Sequence, residues 1–208
     1  MSDRFTETIE RLLQGEVICH YSQPGLTQYL AQPLHFDEVS QFLRRIGRVV
    51  LVTNDELGYY CGYQQPEEHK ASIRRQFELV SDKLDGLVSW LRLARMAQNL
   101  DRPIVAGDIV KEGELLAEME SSPVLQTQLD DVAHKLNVGR KESTLKVKLS
   151  KVFDYLKDNG YLIAISGTGS VYQATAKWSL LYEQMDFVLR FSGIEEPSEE
   201  SHIQGEMF

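Results

Sequence analysis

Lys135, Arg140, Lys141, Lys146, Lys148, Lys151 and Lys157 form the one dense run of positive charge in the chain, interrupted by Glu142, Asp154 and Asp158. Lysine ammonium groups act on phosphate as point charges, whereas the edges of bases are read by the planar forks of Arg, Asn and Gln. The run therefore predicts contact with a nucleic-acid backbone and no reading of base sequence. Within it, Leu145, Leu149, Val152, Phe153 and Leu156 repeat at helical spacing, so Lys146, Lys148 and Lys151 are expected to project away from that apolar stripe. Arg140, Lys141, Lys146, Lys148 and Lys151 are the candidate DNA-binding residues, although a solvated helix face explains any single one of them equally well. A second set, Arg44, Arg45 and Arg48, closes an earlier helical segment whose other end carries Asp37 and Glu38, so the field there is mixed.

Nothing in the chain has the spacing of a catalytic or metal centre. The histidines, His20, His35, His69, His134 and His202, stand apart, and there is neither a GxSxG nucleophile elbow nor an HExxH pair. Residues 166–170 read SGTGS, but they lack the Gly-Lys-Ser/Thr ending of a phosphate loop and lie between two strand-like runs, where a hairpin turn explains them. Cys19 and Cys61 are too few and too far apart for a disulfide framework or a zinc module, and are expected to be reduced. The chain is thus expected to be no enzyme and to hold no cofactor and no metal. Tyr59, Tyr60 and Tyr63 share one strand-like run and are candidates for an interface, with Tyr60 assigned to the core and the other two left open.

The bulk composition limits what the basic run can do. With 22 Lys and Arg against 31 Asp and Glu, the formal net charge is −9, opposite in sign to a protein that lives by coating nucleic acid. Any DNA contact must come from a local face. A hydrophobic content of 42% is enough for a real core and excludes wholesale disorder. The first residues, MSDRFTETIERLL, lack the apolar centre of a signal peptide, and no stretch has the length of a membrane span, so a cytoplasmic location is expected.

The elements that position these residues repeat. Residues 4–14 carry Phe5, Ile9, Leu12 and Leu13 on one helical stripe ended by Gly15. A turn at Pro24–Gly25 precedes a short helix closed by Pro33, and a third helix runs from about Phe36 to Gly47 with Val39, Phe42, Leu43 and Ile46 inward. RVVLV, TNDELG and YYCGY then read as strand, turn and strand. From Pro66 to about Asn99 the pattern is helical, with Gly86 read as a bend or a junction between two helices. After Pro103 come a short extended piece (IVAGDIV), a helix over GELLAEME, and another from Ser122–Pro123 to about Asn137. A helix over about 142–158 follows, then a second hairpin, and a helix over about 176–191 with Trp178, Leu181, Tyr182, Met185, Val188 and Leu189 inward. Helices, hairpin and closing helix, twice, is the order of a tandem winged-helix protein, mainly α with small β-hairpin wings (α+β). The expected division is a first winged-helix domain over 1–66, a helical connector over 67–99, a second winged-helix domain over 100–192 and an acidic, disordered tail over 193–208.

Over about residues 5–192 this order of parts resembles the MukE/MksE family, the kleisin-interacting tandem winged-helix elements of bacterial condensins. The likeness is carried most by GDIVKEGELLAEME, TLKVKLSKVFDYLKDNGYLIAI, SGTGSVYQAT and the acidic tail, and the short length favours the Mks branch. The resemblance implies a homodimeric scaffold that grips a MukF/MksF-like kleisin. Through the kleisin it would join a MukB/MksB-like SMC ATPase, touching DNA non-specifically at the nucleoid in chromosome segregation or defence against foreign DNA. Where the Muk branch has basic residues before the second wing, this chain has Lys157–Asp158–Asn159, which shifts weight to Lys146, Lys148 and Lys151. The alternative is a free-standing winged-helix transcription regulator, which would need base-reading residues.

Overall fold

A computed structural model describes residues 3–139, 144–165, 167 and 170–191. In chain order its elements are α1 (Asp3–Leu13), β1 (Ile18–Cys19), α2 (Pro24–Leu30), α3 (Pro33–Arg45), β2 (Arg48–Val52), β3 (Gly58–Tyr63), a 3-10 turn (Pro66–His69), α4 (Lys70–Ala97), β4 (Ile109–Lys111), α5 (Glu112–Ser121), α6 (Pro123–Leu136), α7 (Leu145–Asp158), β5 (Leu162–Ala164), β6 (Val171–Ala174) and α8 (Lys177–Phe191). The protein is mainly α, with two small antiparallel sheets of strand order β1-β3-β2 and β4-β6-β5. Each sheet is the expected hairpin joined by a third, very short strand. Of these, β4 lies in the segment read as extended, while β1 has too few residues to show a period of its own.

Several boundaries differ from the sequence reading for local reasons. Pro24 and Pro33 each stand at the start of a helix and terminate nothing, because the first helical turn has no use for the N–H that proline lacks. Gly86 marks no junction between two helices, since α4 runs unbroken for 28 residues. The glycine instead makes room for a neighbour, since a Cβ there would lie 2.6 Å from Leu136 Cδ2 and 3.1 Å from Leu136 N on α6. α7 begins at Leu145, not 142, where the Thr144 hydroxyl accepts from Val147 N. Leu13 and Ile46, read as inward, are 45% and 50% exposed, and Val188 and Leu189 are 40% and 51% exposed. Leu13 stands one residue past the buried Leu12, and Ile46 is the cap beyond the last turn of α3. The SGTGS turn and the tail after 191 fall outside the described residues.

Each half has its own apolar core. Phe5, Ile9, Leu12, Leu26, Leu30, Val39 and Leu43 close the first. In the second, Trp90, Leu93, Leu129, Val132, Leu149, Val152, Phe153 and Trp178 are buried together, so the C-terminal half of α4 belongs to this core. A third, smaller cluster joins the halves: Val17 and Cys19 from the first pack against Ala106 and Ala176 from the second.

A polar latch lies beside that cluster. The hairpin between β2 and β3 presents Asp55 to α8, where the Ser179 hydroxyl donates to its carboxylate. Thr53 Oγ1 and Leu57 N also donate to Asp55, at 2.6 and 3.1 Å, and Asn54 N donates to Glu183 Oε1 at 2.6 Å. Desolvation pushes the Asp55 carboxyl up, but the hydrogen bonds it accepts from Ser179, Thr53, Leu57 and its own N–H together outweigh it and hold the group below its ordinary value of 3.8. A lowered folded value means that the latch stabilises above the unfolded pKa and fades as pH falls through the folded one. Asp55→Asn should therefore cost on the order of 1 kcal/mol near neutral pH, the scale of a partly wet charge-assisted hydrogen bond. In urea melts the gap between wild type and variant should close as pH drops below the ordinary aspartate range.

Candidate nucleic-acid interface on the seventh helix

α7 is held by its apolar side. Leu149, Val152, Phe153 and Leu156 are fully buried, and Phe153 stacks on Tyr172 of β6 at 4.6 Å between ring centroids. Trp90 of α4 meets the same ring edge-on at 5.4 Å. With these contacts fixed, the remaining residues of the helix have defined surroundings.

Those surroundings pair most of the cations. Lys148, expected to project outward, instead turns to α6: its Nζ donates to Asp130 Oδ1 at 2.6 Å and its side chain is only 13% exposed. Lys151 and Lys157 flank Asp154 at 3.5 and 3.3 Å. Lys135 joins Asp131, Asp85 and Ser89 at 2.8, 3.2 and 3.0 Å, tying α6 to α4. Lys146 is exposed and lies in the field of Glu112 on α5. Desolvation and the repulsion of Asp154 raise the Glu112 carboxyl above its ordinary value, while Lys146 and a hydrogen bond with Tyr172 oppose the rise. Arg140 and Lys141 fall outside the described residues.

The face is therefore of mixed sign. Lys146 and Lys151 point to solvent with Glu112 and Asp154 among them, and Lys148 is spent inside the fold. The sequence held no signal for this, because Asp130 and Glu112 stand 18 and 34 positions from the lysines they meet and come together only when three helices pack.

The first half's candidates are also partly engaged. The Arg48 guanidinium lies 3.7 Å from the centroid of the Tyr63 ring, on which His69 stacks at 4.4 Å. Arg44 and Arg45 are exposed on α3. Tyr60 is half-buried against the cluster between the halves and is not in the first core, where Tyr59 takes its place beside Phe36. The strand's alternation puts Tyr59 and Tyr60 on opposite faces, and the first core lies on the face of Tyr59.

Cys19 and Cys61 are both free thiols. No group of His, Cys, Asp and Glu among the described residues is arranged to hold a metal, and no helix among them is long and apolar enough to cross a membrane.

The burial of Lys148 separates structure from charge display. Lys148→Ala should lower stability by up to about 1 kcal/mol, because the Lys148 side chain is only 13% exposed while its partner Asp130 keeps half of its surface in water. Lys146→Ala should leave the urea midpoint unchanged, and equal losses from the two variants would refute the assignment.

Compared with known proteins, the chain is matched over residues 3–191 by the family model of the condensin complex protein MksE. No curated protein matches it. The match spans all of the described structure, both sheets and all eight α-helices included, and the chain belongs to the MksE family of condensin complex proteins.

Proposed function

We propose that this condensin accessory subunit acts without chemistry of its own, as a two-copy clamp on a kleisin chain. Through the kleisin it joins an SMC ATPase that organises DNA in the cytoplasm, at the nucleoid. In this reading residues 1–66 and 100–192 are two winged-helix domains, 67–99 is the connector they share, and 193–208 is an acidic tail. The observation that carries the proposal is the family match over 3–191.

The charge arrangement on α7 supports it. A net charge of −9 and a mixed-sign face suit a subunit whose DNA contact is added to that of partners. Lys146 and Lys151 are the described candidates with exposed ammonium groups, and they suit phosphate without base preference. The same face argues against a free-standing regulator, since it offers lysines where base reading needs Arg, Asn or Gln.

Co-expression with the kleisin of the same complex, followed by size-exclusion chromatography with light scattering, tests the proposal. A stable assembly with two copies of this chain per kleisin is the expected result, and elution of the chain alone would overturn it. For the assembled complex, replacing Lys146 and Lys151 by Glu should weaken DNA binding and flatten its log–log salt dependence by roughly 0.9 per lysine. A discrete protected site for the isolated chain would favour the regulator instead.

A further inference from the structure

We infer that β2 is the seam along which two copies of the chain join, edge to edge and antiparallel, into one continuous sheet. The inference rests on the two-copy reading above and assigns it a surface. Among the described strands, the sheet edges are β1 with two residues, β4 and β5 with three each, and β2 with five. Folded proteins blunt long sheet edges with charge, proline or a bulge, because an open ladder recruits other strands. Val49, Val50, Leu51 and Val52 carry none of these, and the register with β3 runs without a break from Arg48↔Tyr63 to Val52↔Tyr59.

The alternation of the ladder shows which groups are on offer. Thr53 N bonds Gly58 O at 2.9 Å and Gln64 N bonds Gly47 O at 3.0 Å. Those bonds bracket the strand, so Val49 and Leu51 are the residues whose backbone groups pair with β3. Arg48, Val50 and Val52 turn their N–H and C=O groups outward. Leu51 and Val52 are 40% and 39% exposed, and Ile46 beside the strand is 50% exposed, which supplies apolar surface along the seam.

The charges select the occupant. At the Val52 end, Asp37 and Glu56 line a groove of about 660 Å³ together with Val52, Asn54, Phe36 and Tyr59. Arg44 lies seven residues beyond Asp37, two turns along α3 on the same side, and so stands near the other end of β2, beside Arg48. The seam is thus positive where β2 begins and negative where it ends. A two-fold axis perpendicular to the sheet, midway between the Val50 residues of the two copies, brings each end against the opposite end of the second copy and keeps both α3 helices on one face. One patch then satisfies itself, as an isologous interface must. Arg44 and Arg48 face the second copy's Asp37 and Glu56, and Val50 pairs with its own counterpart.

The test is the mass of the full chain by light scattering across a concentration series, with thermal melts reporting folding. The wild type should be a dimer. Val52→Pro removes an N–H that faces outward, so it spares the internal ladder, and it should yield monomer at concentrations where the wild type is paired. Arg44→Glu alone and Asp37→Arg alone should each weaken the dimer about tenfold by setting like charges together, and both in one chain should restore it to within about threefold. If Val52→Pro fails to fold, the charge exchange decides. A wild-type dimer that ignores all three variants would overturn the seam while leaving two copies standing. A wild type that stays monomeric would overturn the two-copy reading and the seam with it.

Discussion

The two halves of the molecule meet where no side chain fits. A Cβ on Gly58 would lie 2.7 Å from Val17 Cγ1 and 2.8 Å from Ala176 Cβ, so the first residue of β3 is pinned between the strand-side core of one half and the start of α8 in the other. The hairpin tip falls onto α8, where Asp55 gathers the hydroxyls of Thr53 and Ser179 and the N–H of Leu57. Gly107, with φ +94, repeats the device: a Cβ there would be 2.6 Å from the Tyr21 hydroxyl. The first hairpin is therefore part of the joint between the halves, and its tip is not a free wing. What it leaves open is the far edge of its sheet.

Much of this fold was legible in the chain because period and punctuation agree with the final packing. The stripe of α7, the Asn159–Gly160 stop and the β2–β3 hairpin all stand where the pattern puts them. Pro24, Pro33 and Gly86 read as breaks but serve as two helix starts and a packing notch, because a first helical turn has no use for the N–H that proline lacks and Leu136 of α6 needs the space beside Gly86. The two-residue β1 exists only through its pairing with β3, so no local signal could have shown it.

The site was less legible than the fold, and for an electrostatic reason. A run of lysines along one helix looks like a basic face until the carboxylates of other helices are placed. Asp130 takes Lys148, Asp154 sits between Lys151 and Lys157, and Glu112 lies near Lys146. Sequence spacing shows only α7's own share of that field. The surface that results is close to balanced. It suits a subunit of a larger assembly more than a molecule that seeks DNA alone, in keeping with the family to which the chain belongs.

The two halves form one body clasped at Gly58 and Asp55. Electron–electron distance measurement between spin labels introduced at Glu10 on α1 and Glu118 on α5, both exposed, tests it most directly. A single distance distribution no wider than the labels themselves impose is expected in the isolated chain at neutral pH. A broad or two-peaked distribution would mean that the halves move independently, and would contradict it.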